Sequence, residues 1–356
     1  MTARRFPDAP RAIEINTRHT IHSLVFVEGA KQILSGGSEL RRWRVSDGGE
    51  VREPIQSGGG GIYTTALSPD GKWLVCGLIA LSEDGRKANV EVRNAQTDKK
   101  VLDIWGHKNT AFSVDISADS MTFATGSADK TAFIWSVTTG EQLVGPLKHD
   151  GRVVAVQFSP NGDHRIATAA IGNPVRIYNS DNGQLLLHLP SKVSNYGSSA
   201  SLAWPADARQ LFVALDGEVE SFDASSGSSF SKWPIPEASG FLIFIALARN
   251  QKFIVVSAHL SLSFWDTSTH KQIGTTLKHT SNIRSTALSS NDDHVAVGEE
   301  NERFILRNLR GILPGAYLTV NVSNPTHSKV GESNKSCLSF VFLSYRECSN
   351  TNFSLI

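Results

Sequence analysis

One short stretch of the chain carries the side-chain types of a nucleophilic site. His107, Thr125 and Asp129 supply an imidazole, a hydroxyl and a carboxylate, with Trp135 close behind. A hydrolytic serine is usually held on a strained GxSxG elbow, and no GxSxG occurs in the sequence. Gly58-Gly59-Gly60-Gly61 is not followed by Gly-Lys-Ser/Thr, so it cannot cradle phosphate as a P-loop does, and a flexible turn before Ile62–Leu67 accounts for it. HExxH and CxxC are absent, and Cys76, Cys337 and Cys348 are too few and too scattered for a zinc site or a disulfide framework. We therefore expect no catalytic residues, no metal and no cofactor, and read the His/Thr/Asp group as structural.

Arg41-Arg42-Trp43-Arg44 sets an aromatic among bases, a pattern that can stack on nucleic acid. A strand whose long side chains run outward explains it as well. Arg42 aligns with Ile134 and should face the core, a place for which the sequence offers it no partner. Net charge is +1, so no global field draws the chain to nucleic acid or anionic membrane, and neither is expected as a partner. Arg4 and Arg5 are not followed by the apolar run of a secretory signal, and no stretch approaches the ~20 apolar residues of a spanning helix. The expectation is an intracellular protein, cytoplasmic or nuclear.

The elements that hold these residues are repeated. With the end of each third apolar segment as a ruler, anchors fall at Trp43, Arg93, Trp135, Tyr178, Phe222, Trp265 and Arg307, spaced 50, 42, 43, 44, 43 and 42 residues apart. Each interval holds apolar alternating segments separated by Pro/Asn/Gly/Asp turns, as in Val153–Phe158 followed by Ser159-Pro160-Asn161-Gly162. A period of ~40–45 residues fits a four-stranded propeller blade, and no blade can bury both faces alone. The fold expected is all-β: a seven-bladed β-propeller of four-stranded antiparallel blades.

The third unit carries Gly106-His107, then Thr125-Gly126-Ser127-Ala128-Asp129-Lys130-Thr131, then Trp135, and Trp265-Asp266 is a true Trp-Asp pair. On these residues the chain, from about Ala12 to Leu309, resembles the WD-repeat β-propeller family. GPLKHDGRVVAVQFSPNG and GTTLKHT are similar to degenerate repeats of fungal type, some of which follow NACHT-type nucleotide-switch domains while others stand alone. The resemblance implies a buried hydrogen-bond network in which the Trp135 indole meets Thr125, Thr125 meets His107, and His107 meets Asp129. The fourth unit has His149 and Thr168 but Gly172 in place of the acid.

A ring of sheets must join its last blade to its first. Leu309 to Gly315 is a poor strand because of its Gly and Pro, whereas Ala12 to Asn16 alternates cleanly and has no unit of its own. We expect this N-terminal strand to close the ring. The chain then divides into an extension at 1–11, a propeller at 12–316 and an irregular tail at 317–356, expected to be disordered or loosely attached.

The second unit carries an insertion about eight residues longer than its counterpart in the third, on a loop of the kind that carries function at little cost in stability. It places Glu83, Asp84, Arg86 and Lys87 on the His-bearing face that the resemblance implies for partners. Lys108, Asn109, Lys130, Arg152, Asn173, His259, Asn282, Glu300 and Arg303 are expected on the same face. Their mixed signs suit protein or peptide partners. The expected function is a non-catalytic interaction scaffold or recognition module, a monomeric propeller within a complex. One alternative is a substrate receptor of a ubiquitin ligase, although Trp265-Asp266-Thr267-Ser268 and Trp135-Ser136-Val137-Thr138 lack the Arg such receptors often show. The other is a propeller enzyme with a channel site, for which Asp115 is a rare inner-strand acid.

Overall fold

A computed structural model of the chain describes residues 12–318 apart from 58–59, 81–88, 194–199, 237 and 239–241. Within them, 28 strands form seven four-stranded antiparallel sheets. The inner strands are Ser23–Val27, Ile62–Leu67, Ala111–Ile116, Val153–Phe158, Ser201–Ala203, Ile243–Leu247 and Ile283–Leu288. Each sheet is a blade, and the apolar residues of its strands are buried on both faces against the neighbouring blades. All seven anchor positions share one register. Each pairs with the second residue of its blade's second strand, as Trp135 with Phe123, Arg93 with Leu74 and Arg307 with Val295. The non-aromatic anchors therefore mark the same place as the tryptophans.

The ring is closed as the N-terminal alternation predicts. Ile13–Asn16 is the outer strand of blade seven, pairing antiparallel with Arg303–Asn308 from Ile13↔Leu306 to Asn16↔Arg303. Leu309 to Gly315 makes no strand. It turns through short 3-10 segments at Leu309–Gly311 and Gly315–Tyr317, and Leu309, Leu313 and Leu318 enter the apolar cluster of blade six. Tyr317 Oη donates to Asp266 Oδ2 at 2.8 Å, so the chain packs on the propeller two residues past the expected start of the tail. The remainder of the tail, 319–356, lies outside the described residues.

Two devices join blade to blade. Near the axis, a serine hydroxyl of one inner strand accepts the N–H of the next inner strand. Ser23 takes Thr65 N at 3.1 Å, Ser113 takes Val156 N at 3.0 Å, Ser201 takes Ile245 N at 3.0 Å and Ser285 takes Leu24 N at 3.0 Å. These donors lie on the inner, unpaired edges of the blades, where an unmet N–H would be costly.

At the rim, the turn between third and outer strands packs on the preceding blade. Its fourth residue is left-handed: Gly48, Gly140, Gly183 and Gly227 have φ between 72° and 74°. A side chain at Gly48 would meet Ile13 and Ile15, and one at Gly183 would meet Val144 and Leu147, so glycine permits the close approach. Blade six instead places His270 there, stacked on Trp233 at 4.3 Å.

In blade two the same position is Asp98 (φ 58°), and this accounts for Arg42. Arg42 does face the core, at 1% exposure, and its guanidinium pairs with the Asp98 carboxylate across the blade boundary. It also donates to Ala95 O at 2.5 Å and to Gln32 Oε1 at 2.9 Å, while Arg52 reaches Asp98 from the surface at 3.1 Å. Blade one's outer strand is only Ile55–Gln56, so the cation takes the place of apolar outer-strand packing. No described helix is long and apolar enough to cross a membrane.

Candidate functional site

The first candidate group is in blade three. Trp135 Nε1 donates to Thr125 Oγ1 at 2.8 Å, Thr125 Oγ1 lies 2.7 Å from His107 Nε2, and His107 Nδ1 lies 2.9 Å from Asp129 Oδ2. The Asp129 carboxylate also accepts Lys108 N at 2.8 Å and Thr131 Oγ1 at 2.6 Å. Thr125 is fully buried and already engaged on both sides, so its oxygen cannot meet a substrate carbonyl. The geometry ties the top of the blade to its interior.

Burial alone would raise the Asp129 carboxyl, but the His107, Thr131 and Lys108 hydrogen bonds outweigh it and hold the group at about 2. Its folded-state value thus lies below the ~3.9 of an unfolded chain. The stability it contributes is complete above about pH 4 and is lost as pH falls through the folded value. Asp129→Ala should therefore destabilise the protein by about 1–3 kcal/mol at neutral pH, and the gap between the two melting curves should close from pH 4 toward 2. A gap independent of pH across that range would reject the assignment.

The other units keep fragments of the network. In blade four His149 Nε2 lies 3.4 Å from Thr168 Oγ1, Nδ1 has no hydrogen-bond partner where blade three supplies the acid, and burial, then the Arg176 charge, lower its pKa to about 4. In blade one Trp43 Nε1 donates to Ser35 Oγ at 2.9 Å. In blade seven His279 Nδ1 meets the buried Glu299 Oε1 at 2.8 Å.

The second candidate group is a surface. The turns between second and third strands and the links between blades come to one end of the propeller, stitched by bonds such as Ala128 N to Thr110 O at 3.0 Å and Glu300 N to Asn282 O at 2.9 Å. Lys108, Lys130 and Asn282 are exposed there, and Asn109, Arg152, His259, Glu300 and Arg303 are partly exposed. Asn173 is instead 3% exposed, its amide turned inward to Ile171 O at 2.8 Å. Arg303 is drawn into ring closure, pairing with Glu299 at 2.6 Å and with Glu14 of the N-terminal strand at 3.0 Å. Glu83, Asp84, Arg86 and Lys87 lie outside the described residues.

Sequence reasoning missed the residues at the mouth of the ring. The position before the clamping serine recurs as His22, Tyr63, Phe112, Val154, Ala200, Ile243 and Arg284, fixed by the inner-strand registers. His22 stacks on Tyr63 at 5.2 Å and 12°, and Tyr63 meets Phe112 at 5.2 Å, so three successive blades share one aromatic row, with Tyr63 buried and His22 and Phe112 half-buried. Arg284 is buried beside His22, pairs with Glu300, and leaves its Nε without a hydrogen-bond partner. Burial, then the Arg284 charge, depress His22 to about 4, so its ring is neutral at pH 7. The signal was available, since these residues hold a fixed offset from the repeat anchors.

Among the described residues no cluster of His, Cys, Asp and Glu could hold a metal ion. Asp115 spends an oxygen on Phe158 N of the next blade at 2.7 Å, and loss of hydration pushes its carboxyl up to about 8.

Comparison with known proteins agrees with this architecture. The family described as WD domain, G-beta repeat matches residues 98–136, the unit that carries the network. The chain is 33% identical to apoptotic protease-activating factor 1 of Homo sapiens over 180 residues, 51% of this chain and 14% of that protein. It is 28% identical to WD repeat-containing protein 1 of Rattus norvegicus over 243 residues, 64% of this chain and 38% of the relative. With the periodic tryptophan protein 2 homolog of Dictyostelium discoideum it shares 23% over 266 residues, 71% of this chain and 26% of that one. The chain thus spans well under half the length of these relatives. The chain is a closed ring of seven four-stranded blades, one of its units matches the WD repeat, and it is similar to WD-repeat β-propeller proteins.

Proposed function

We propose that the chain is a non-catalytic interaction module that binds a protein or peptide partner at the end bearing the aromatic mouth. WD-repeat propellers serve in general as protein-interaction scaffolds. The observation that carries the reading is the His22–Tyr63–Phe112 row beside Arg284. Aromatic and arginine side chains are the types that dominate binding energy at protein interfaces. The rim around them mixes Lys108 and Lys130 with Glu300, which suits a peptide of mixed charge better than a polyanion.

Affinity capture with mass spectrometry tests it. Phe112→Asp places a charge in the row, and Leu143→Asp alters an exposed outer-strand residue in the same blade. Proteins held by the wild type and by the Leu143 variant should be lost from the Phe112 variant, with all three still folded at the capture temperature by circular dichroism. Equal capture by all three would reject the mouth as the site.

A further inference from the structure

At the opposite end of the molecule, the seam between blades seven and one holds a groove of about 690 Å³. Its lining includes Ile13 and Leu306 on the blade-seven side and Ala30 and Val45 on the blade-one side, with His294 in the wall. The same place between blades four and five is filled from within. There Arg165, the first residue of its second strand, donates to Ala208 O at 2.6 Å and to Ala224 O at 2.7 Å. Its guanidinium carbon lies 5.2 Å from the Trp204 ring.

Arg165 is held in addition by the Asp163 carboxylate (Nε to Oδ2, 2.7 Å); the seam repeats the carbonyl-bearing positions but neither the cation nor that carboxylate. His294 is the first residue of blade seven's second strand, as Arg165 is of blade four's. Ala30 and Ala208 are each two residues before their second strand and both left-handed, at φ 69° and 51°. Val45 and Ala224 each follow their third strand, and each donates its N–H to the turn next to that alanine, Val45 to Lys31 O at 2.9 Å and Ala224 to Arg209 O at 2.9 Å. Phe26 stands in register with Trp204. A third boundary uses the same kind of contact, since Arg42 donates to Ala95 O, the residue after blade two's third strand.

We propose that the seam groove receives an arginine side chain from a partner peptide, its guanidinium seated on the Ala30 and Val45 carbonyls as Arg165 seats on their counterparts. An imidazole is shorter than a guanidinium arm, so His294 leaves the space that Arg165 fills. The planar five-donor fork suits two convergent carbonyls, and an ammonium would meet them less well. Glu28 at the lip already pairs with Arg42 at 3.3 Å, and Asp47 offsets the Arg44 charge at 3.1 Å, so the seat rests on its carbonyls and not on a free counter-charge. Lys31 is exposed on the same lip and opposes a second positive charge.

The test uses the full chain and fluorescein-labelled pentapeptides of glycine and alanine with a central arginine, lysine or glutamate, read by fluorescence polarisation. The arginine peptide should bind saturably and at least tenfold tighter than the lysine peptide, with the glutamate peptide silent. His294→Arg should supply the guanidinium from within, weaken the peptide at least tenfold and raise the melting temperature. Lys31→Glu should tighten binding. As a calibration of the chemistry, Arg165→Ala should lose stability that ethylguanidinium restores. Binding that the His294 variant retains, binding no better than that of the lysine peptide, or arginine-peptide binding that appears only after residues 1–11 are removed would each overturn the proposal.

Discussion

Asp98→Gly is expected to destabilise the propeller by roughly 3–5 kcal/mol, although it installs the residue that four other blades carry at that turn. Two effects oppose each other. Asp98 is left-handed at φ 58°, a conformation costing an L-residue about 1–2 kcal/mol, which glycine would relieve. Against this, Arg42 at 1% exposure would lose its buried carboxylate and keep its charge. Only the exposed Glu28 at 3.3 Å would remain as a counter-charge, and a buried ion so weakly compensated costs more than the backbone gains. The double variant Arg42→Met with Asp98→Gly gives blade two an apolar contact under a glycine turn, the arrangement of its neighbours, and should recover most of the loss. Urea unfolding of the wild type and the two variants measures both numbers. A neutral Asp98→Gly, or a double variant as weak as the single, would show that the pair does not hold the boundary.

That boundary also shows where sequence reading stops. The blade count, the anchor register and the closing strand were legible because they depend on periodicity and on local turn chemistry, which one chain displays directly. Arg93 and Arg307 could be placed by flanking strand patterns alone, and both occupy the tryptophan position. The buried Arg42 could be recognised as anomalous but not explained. Its partner lies 56 residues away, at a turn position where most units carry glycine, and the contact exists only because two blades pack side by side. The serine clamps were hidden for a similar reason. Ser23, Ser113, Ser201 and Ser285 look like ordinary strand residues until the ring sets each beside the next blade's unpaired N–H. On the candidate face, register placed Lys108 and Lys130 outward but could not foresee that Asn173 turns in to satisfy its own loop. Contacts within a repeat follow from sequence spacing, whereas contacts between repeats require the angle at which they stack.

The closing strand is where stacking angle and chain order meet, and its removal is the other large effect expected. Deleting residues 1–17 takes away the four-residue pairing with Arg303–Asn308, the bond from Thr17 N to Glu302 O at 2.8 Å, and the Glu14–Arg303 ion pair. It also removes the buried Ile15 and the Ile13 side chain, on which the Gly48 turn of blade one rests. Two aliphatic side chains at about 1.5–3 kcal/mol each, with several strand hydrogen bonds at about 1 kcal/mol each, amount to roughly 5–8 kcal/mol. That approaches the whole stability of a typical domain, about 5–15 kcal/mol. The truncated chain would also expose Arg303–Asn308 as an open edge, a template for pairing between molecules. It should melt far below the full chain and aggregate. A synthetic peptide of residues 12–17 added in trans should restore part of the melting temperature, in proportion to its concentration. An unchanged melting point after truncation would mean that blade seven is complete without its N-terminal strand, and that the ring is held by the serine clamps and apolar packing of blades one and seven alone.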